Sequence, residues 1–270
     1  MPARHDAEGP AERISRSRKY GTIHGWTIER VVQDCLFRYG PKGAERNARR
    51  VLHQVWGAFF GARPDFRGLA MQAGKDLHLG GSAESVLKPM LLLQSSTRER
   101  ISFMGGFFKD VLGAAGSPRV VVDHACGLNP LAAVMGMMPG VMSYVGHDID
   151  LELISFLEAV SLAAGTGDRV RVSARDALEE DAEEADCVLM LKLLPCLDLQ
   201  KKDGALEAMR LRRCKRLVVS FPVRSISGRK AGMGKFYEER FENLLRRACW
   251  TWVKFSYPSE LVFVVNKDGG

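Results

Sequence analysis

The residues with chemistry to offer gather in two places. One is the stretch Asp123-His-Ala-Cys-Gly-Leu-Asn-Pro130, and the other is Asp148, 21 residues beyond Gly127. An apolar run, Val120-Val-Val, climbs to Asp123, and after the glycine turn an apolar segment runs from Leu131 to Met138. A glycine directly after a buried strand lets a ligand approach the backbone, and an acid ending the next strand can accept hydrogen bonds from ribose hydroxyls. This pattern suits an adenosine-type cofactor. Dinucleotide sites carry G-x-G-x-x-G because a pyrophosphate must rest on the bare helix N-terminus. Here one glycine is followed by Leu128-Asn129-Pro130. That suits S-adenosyl-L-methionine, which brings no phosphate; a plain core strand with no ligand reads the same way.

Other chemistries find little support. There is no Ser/His/Asp triad and no paired-carboxylate site. Cys126 is the one tempting nucleophile, but it sits inside the turn and reads better as a small packing residue; His124 and His147 read as ordinary strand-end residues. The six cysteines are scattered without a C-x-x-C pair or a histidine at ligand spacing. This predicts reduced, mostly buried thiols in a cytoplasm, and no metal. Residues 1–19 are charged without a signal-peptide apolar core, and no apolar run approaches a membrane span.

The elements that must position these residues come in two styles. From Arg119 onward strand and helix alternate, which predicts a parallel sheet with right-handed crossovers. Strands are predicted at 119–124, 142–147, 169–174, 186–192, 215–221, 251–257 and 260–266, and helices at 130–138, 151–164, 199–212 and 235–248. The short Pro258-Ser259 turn makes the last two strands an antiparallel hairpin. Before Arg119 the text is helical. Ile28, Val31, Val32, Cys35 and Leu36 share one helical face. Val51, Leu52, Val55, Trp56 and Phe59 share another after a Gly40-Pro-Lys-Gly43 turn. A third segment, Ala83 to Leu93, should break near Pro89, and Ser96 or Thr97 could cap the helix after it. Residues 1–18 read as a frayed polar arm and Gly113 to Pro118 as a linker. The expectation is a helical, basic domain at 1–112 and an α/β cofactor domain at 113–270.

Charge is segregated along the chain. Residues 1–100 hold 17 Lys/Arg against 10 Asp/Glu, residues 101–200 hold 6 against 15, and residues 201–270 hold 16 against 7. An acidic middle tolerates a sulfonium, while basic ends suit a polyanion such as nucleic acid.

In open α/β sheets ligands bind beyond the carboxyl ends of the strands. That rule selects Asp123 to Gly127 (Ala125 among them), Asp148, Arg175-Asp176-Ala177, Leu191-Lys192-Leu193-Leu194-Pro195 and Ser220 to Arg224. Asp176 could accept from the adenine amino group or simply cap a turn. Lys192 interrupts an apolar strand and needs a partner or an outlet. Arg100 could clamp a cofactor carboxylate or be a surface helix arginine. The glycine-rich segment from Ser220 to Lys235 carries Arg224, Arg229, Lys230 and Lys235, which could grip phosphates or a flipped base, or could be a solvated loop.

Taken together, Asp123-His-Ala-Cys-Gly-Leu-Asn-Pro130, Leu191-Lys-Leu-Leu-Pro195 and Ser220-Phe-Pro-Val-Arg-Ser-Ile-Ser-Gly-Arg229 resemble one family, as do Leu52 to Phe59 and Ser96 to Arg100. It is the aminoglycoside-resistance 16S rRNA (guanine-N7)-methyltransferases acting on guanine 1405, and the likeness runs from about Lys19 onward. The resemblance implies a Rossmann-like S-adenosylmethionine-dependent methyltransferase domain and a helical N-terminal domain that docks 16S rRNA in the small ribosomal subunit. It implies that Arg100, Asp148, Asp176, Ala177, Leu191 and Gln200 contact cofactor, with Gln94, Ser95 and Ser96 as further candidates. Arg224 and Arg229 would engage the target, joined by Lys192 and Lys230. The sequence departs from the family pattern at His124, where an aliphatic residue is usual, and at Gln94, where histidine is common. Two rivals share parts of this reading: a small-molecule or protein methyltransferase, and a non-catalytic RNA-binding protein.

Overall fold

A computed structural model describes residues 9–57, 60, 62–180, 184–201, 203–223 and 233–268. Seven strands form one sheet in the order β3-β2-β1-β4-β5-β7-β6. They are β1 Val120–His124, β2 Ser143–Asp148, β3 Val170–Ala174, β4 Ala185–Leu191, β5 Cys214–Pro222, β6 Thr251–Ser256 and β7 Glu260–Asn266. The first five pair in parallel, while β7 runs antiparallel between β5 and β6. All seven agree with the predicted strands to within a residue or so. They were legible because central parallel strands are buried on both faces. Val121, Tyr144, Leu189 and Val218 face one core, and Val122, Val145, Val188 and Val219 the other.

Helices α7 (Asn129–Val134) and α8 (Leu151–Ala163) follow β1 and β2. Helix α8 is capped by Asp150, whose carboxylate accepts from Leu153 N–H at 3.2 Å. Helix α7 is shorter than the sequence pattern suggested, since Gly136 turns left-handed at φ 75°. The helix expected at 199–212 is two helices, α9 Leu194–Gln200 and α10 Gly204–Leu211, with Asp203 between them at φ 60°. Pro195 sits in the first turn of α9, where a missing N–H costs nothing. The last helix, α11, spans Met233–Arg247.

The helical half divides by packing. Helix α1 (Pro10–Ser15) and helix α2 (Gly25–Leu52), which continues into a π turn at His53–Gly57, share a core of their own. Ile14 is fully buried in it, so the arm is folded from Pro10 rather than frayed. Gly40 breaks α2 with φ 67°, ψ 174°, and Pro41 restarts it, which matches the predicted turn. Helix α3 (Phe66–His78) was not foreseen. It is capped by Asp65, which accepts from Gly68 N–H at 3.0 Å. Next come α4 (Ala83–Leu87), a 3-10 turn over Lys88–Leu93 that begins beside Pro89, α5 (Ser95–Arg100) and α6 (Met104–Ala114). Neither Ser96 nor Thr97 caps α5. Gln94 stands at the cap, and the Thr97 hydroxyl donates back to Leu91 and Gln94 carbonyls.

From Phe66 to Ala115 the apolar residues belong to the same core as the sheet. The boundary expected at residue 112 therefore does not separate two cores; the change of core falls between Trp56 and Phe66.

Candidate cofactor site

The strand order reverses between β1 and β4, and their carboxyl ends open a crevice where α/β sheets take ligands. A pocket partly open to solvent lies there. Beyond β1, Ala125 and Gly127 both adopt left-handed backbone, with φ 54° and 50°. The Gly127 N–H donates to Asp148 Oδ2 at 3.0 Å, so the turn and the acid at the end of β2 lock together. Asp148 Oδ1 also accepts from Asp150 N–H at 3.1 Å. Burial, then the charge of Asp150, pushes the Asp148 carboxyl up to about 7.

Eight of the sequence-selected cofactor residues line this pocket. Ala125 and Asp148 lie at its β1–β2 side, Asp176 and Ala177 beyond β3, Leu191 and Gln200 on the β4–α9 side, and Gln94 and Ser96 at the start of α5. Lys192 lines it too, at φ 57°, with its ammonium paired to Glu99 at 2.7 Å. Val55, Trp56, Phe60 and Cys196 also line it without having been foreseen, and Arg175 and Leu193, which the strand-end rule selected, line it as well. In the sequence Val55 and Trp56 look like any core positions of an amphipathic helix. Only the fold shows that the N-terminal helices end over the pocket.

Four candidates lie outside it. Ser95 is at the first turn of α5 and does not line the pocket. Gly127 stands behind Gln94, whose amide oxygen accepts from Leu128 N–H at 2.9 Å; a Cβ at Gly127 would collide with that amide. Arg100 is neither a surface residue nor in the pocket wall. It is 1% exposed, grips Glu260 through Nε and Nη2 at 2.6 and 3.0 Å, and donates to Asn129 Oδ1 at 2.9 Å. Burial favours a protonated Glu260, yet Arg100, Lys192 and the Ser220 hydroxyl outweigh it and hold its pKa below the usual range. Asp123 is fully buried, accepting from Asn129 at 2.9 Å and the Tyr144 hydroxyl at 2.7 Å. Its other oxygen has no partner among the described residues, and burial raises the carboxyl to about 6. Arg224, Arg229 and Lys230 lie outside the described residues.

Among the described residues at the pocket no activated thiol or free imidazole emerges. Burial drives the Cys126 thiol well up and that of Cys196 to about 11, so both are poor thiolates. His147 Nδ1 is 2.9 Å from the Ser173 hydroxyl. His124 packs against Arg212, which also donates to the Ala177 and Glu179 carbonyls, so the imidazole at this unusual position has a structural partner. Among the described residues no cluster of His, Cys, Asp and Glu could hold a metal, and no helix is long and apolar enough to cross a membrane.

Sheet order, lone-glycine turn, following acid and switch-point pocket define the class: a methyltransferase fold built for a nucleoside cofactor without phosphates. Comparison with known proteins narrows this. The family model described as ribosomal RNA methyltransferase (FmrO) matches residues 16–264, and the chain belongs to that family. It is 32% identical over 262 residues to the 16S rRNA (guanine(1405)-N(7))-methyltransferase of Frankia casuarinae, covering 95% of this chain and 92% of that one. The enzyme of the same name from Micromonospora echinospora is 31% identical, with 94% of each chain covered. Among solved structures, the 16S rRNA methyltransferase RmtF in complex with S-adenosyl-L-homocysteine is similar at TM-score 0.80 and 36% identity, covering 98% of this chain and 99% of that one. The 16S rRNA methylase RmtB follows at 0.74 and 27%, covering 96% and 97%.

Proposed function

We propose that this protein transfers a methyl group from S-adenosyl-L-methionine to N7 of guanine 1405 of 16S rRNA, acting on the small ribosomal subunit. The observation that carries the reading is the near-full-length match to enzymes of that name, with a pocket at the switch point that fits the cofactor. The fit rests on three features. The lone-glycine turn offers no phosphate cradle, Asp148 at the end of β2 offers a carboxylate for ribose hydroxyls, and beyond β3 the acid Asp176 lines the pocket beside Arg175. Ala177 and Asp176 then serve the adenine, Ala125 and Gln94 border the methionine side, and Leu191 and Gln200 close the apolar wall.

The cofactor supplies a methyl group on a cationic sulfur. Guanine N7 has an in-plane lone pair and no proton to lose, so the protein needs no general base. Its work is to hold nitrogen and methyl in line and to exclude water. That accounts for a pocket in which Cys196 is a poor thiolate and Asp176 is locked in hydrogen bonds. The target base must leave its stack to reach the pocket. Lys192 at the pocket and the basic residues Arg224, Arg229 and Lys230 are placed in sequence to receive it. The basic helical half docks the rRNA backbone. Methylation at N7 removes an acceptor and adds positive charge, which repels polycationic aminoglycosides and gives resistance.

The test is methyl transfer from labelled S-adenosyl-L-methionine to small ribosomal subunits, followed by mapping of the modified base. Label at N7 of guanine 1405 is expected. Cofactor binding without label on that base would overturn the assigned target.

A further inference from the structure

We propose that Arg30 of α2, with Thr27 one turn before it, is a positioning residue for the adenine end of the pocket. This rests on the reading of that pocket as the cofactor site. Asp176 is 2% exposed. Its Oδ1 accepts from Leu178 N–H at 2.9 Å, which closes the loop after β3. Its Oδ2 accepts from the Thr27 hydroxyl at 2.7 Å and from Arg30 Nη2 at 2.8 Å. The same Arg30 nitrogen donates to Gln200 Oε1, and the Gln200 amide is oriented in turn by donating to the Cys196 carbonyl at 3.1 Å. One guanidinium nitrogen on the N-terminal lobe thus fixes two pocket residues from different elements, Asp176 in the loop after β3 and Gln200 at the end of α9.

This is more than a joint between lobes. The lobes are already joined elsewhere, by His24 N–H to the Ile149 carbonyl, Leu151 N–H to the Thr22 carbonyl (both 2.8 Å) and the Arg63–Asp150 pair. A guanidinium serving only adhesion would turn its spare donors to water. Arg30 instead lies over the Trp26 ring at 5.4 Å, with Nε and Nη1 buried and without partners among the described residues. Leaving donors dry is unfavourable, so its pose is set by what Asp176 and Gln200 require. Asp176 Oδ1 keeps one acceptor site unused, and with Oδ2 pinned by Thr27 and Arg30 the plane of the carboxylate cannot rotate away from a donor such as an adenine amino group. Without Arg30, Asp176 becomes a buried carboxylate that has lost its cationic partner among the described residues and is held only by Thr27 and the Leu178 N–H.

The test is calorimetric binding of S-adenosyl-L-homocysteine to the full-length protein. Arg30→Ala should weaken binding about tenfold, the loss expected for one charge-assisted hydrogen bond to the preorganised acid. Thr27→Val, which removes a neutral bond to the same oxygen, should weaken it less, and Arg30→Lys should restore part of the loss. In methylation of small subunits by Arg30→Ala, KM for S-adenosyl-L-methionine should rise by more than kcat falls. Cys196→Phe, which crowds the same pocket, is the reference. If Arg30→Ala binds with wild-type affinity while Cys196→Phe does not bind, the positioning role is overturned and the pocket assignment stands. If Cys196→Phe also binds normally, the pocket assignment has failed and the inference falls with it. A drop in kcat with KM unchanged would likewise overturn it.

Discussion

Two arginine networks flank the pocket, and they are built differently. Beneath the cofactor turn, Arg100, Glu260, Asn129, Asp123 and Tyr144 form a network that is almost wholly shielded from water. At the seam between lobes, Arg30 and Arg63 reach from the N-terminal half to Asp176 and Asp150, with side chains 15% and 32% exposed. The first lies where the sheet shares its core with α6, so its loss should be felt as folding. The second joins two separately cored parts across the pocket, so its loss should be felt as binding. Charge pairs of similar length thus do different jobs according to what lies on either side of them.

The largest test of that contrast is Arg100→Ala. Removing one partner of a buried pair strands Glu260, and we expect a loss of about 3–5 kcal/mol in denaturant unfolding. Arg100→Ala/Glu260→Ala should recover part of it. A variant that unfolds normally and loses only cofactor affinity would make Arg100 a cofactor clamp and erase the distinction between the networks.

Gly127→Ala comes next. The position is left-handed, and the new methyl would meet the Gln94 amide. A cost of about 1–2 kcal/mol is expected from the backbone alone, with more from the collision. Gln94→Ala in the same chain should relieve the collision and leave the backbone share. Equal stabilities for the single and double variants would show that Gln94 does not bear on the turn.

These two residues also mark how far sequence reading reaches. The strands, the glycine turn and Asp148 were legible because buried parallel strands are written as apolar runs ending in polar residues, a local signal. The split into α9 and α10 was not, since Leu194 to Leu199 is too short to show a period, and Asp203 gave no warning of its left-handed turn. Helix α3 was hidden by Gly68 and Gly74. The burial of Arg100 depended on Glu260, 160 residues away, and the seam pairs Arg30–Asp176 and Arg63–Asp150 span 146 and 87 residues. A surface arginine and a buried one look alike in sequence when the partner is that distant.

At the seam the clearest handle is pH. In the ligand-free protein Asp148 titrates at about 7. A cationic cofactor and donors from ribose hydroxyls favour the carboxylate, so binding lowers that pKa and expels a proton wherever the free protein holds one. Affinity for S-adenosyl-L-methionine should therefore be flat above pH 7 and fall below it, by up to about tenfold per pH unit. Asp148→Asn should bind more weakly and lose this slope. A profile that is flat through pH 6 in the wild type would remove Asp148 from the binding equilibrium.

Arg63→Ala is the smallest of these effects and the most informative about the seam. Arg63 holds Asp150 through two bonds of 2.8 Å, reaches Glu152 at 2.7 Å and lies over the Trp56 ring at 4.6 Å. Partial exposure limits the loss of stability to about 1 kcal/mol or less. The effect on Asp148 has a definite sign. The Asp150 charge is already one of the causes that raise the Asp148 carboxyl. Without Arg63 that charge is less compensated, so Asp148 should titrate higher still, and the midpoint of the binding profile should move up by a fraction of a pH unit. Arg63→Lys keeps the charge without the two-pronged grip and should fall between. An upward shift with little loss of stability is what a seam that tunes the pocket predicts. Lost stability with an unmoved midpoint would make Arg63 an anchor of the same kind as Arg100, and the two networks would then differ only in exposure.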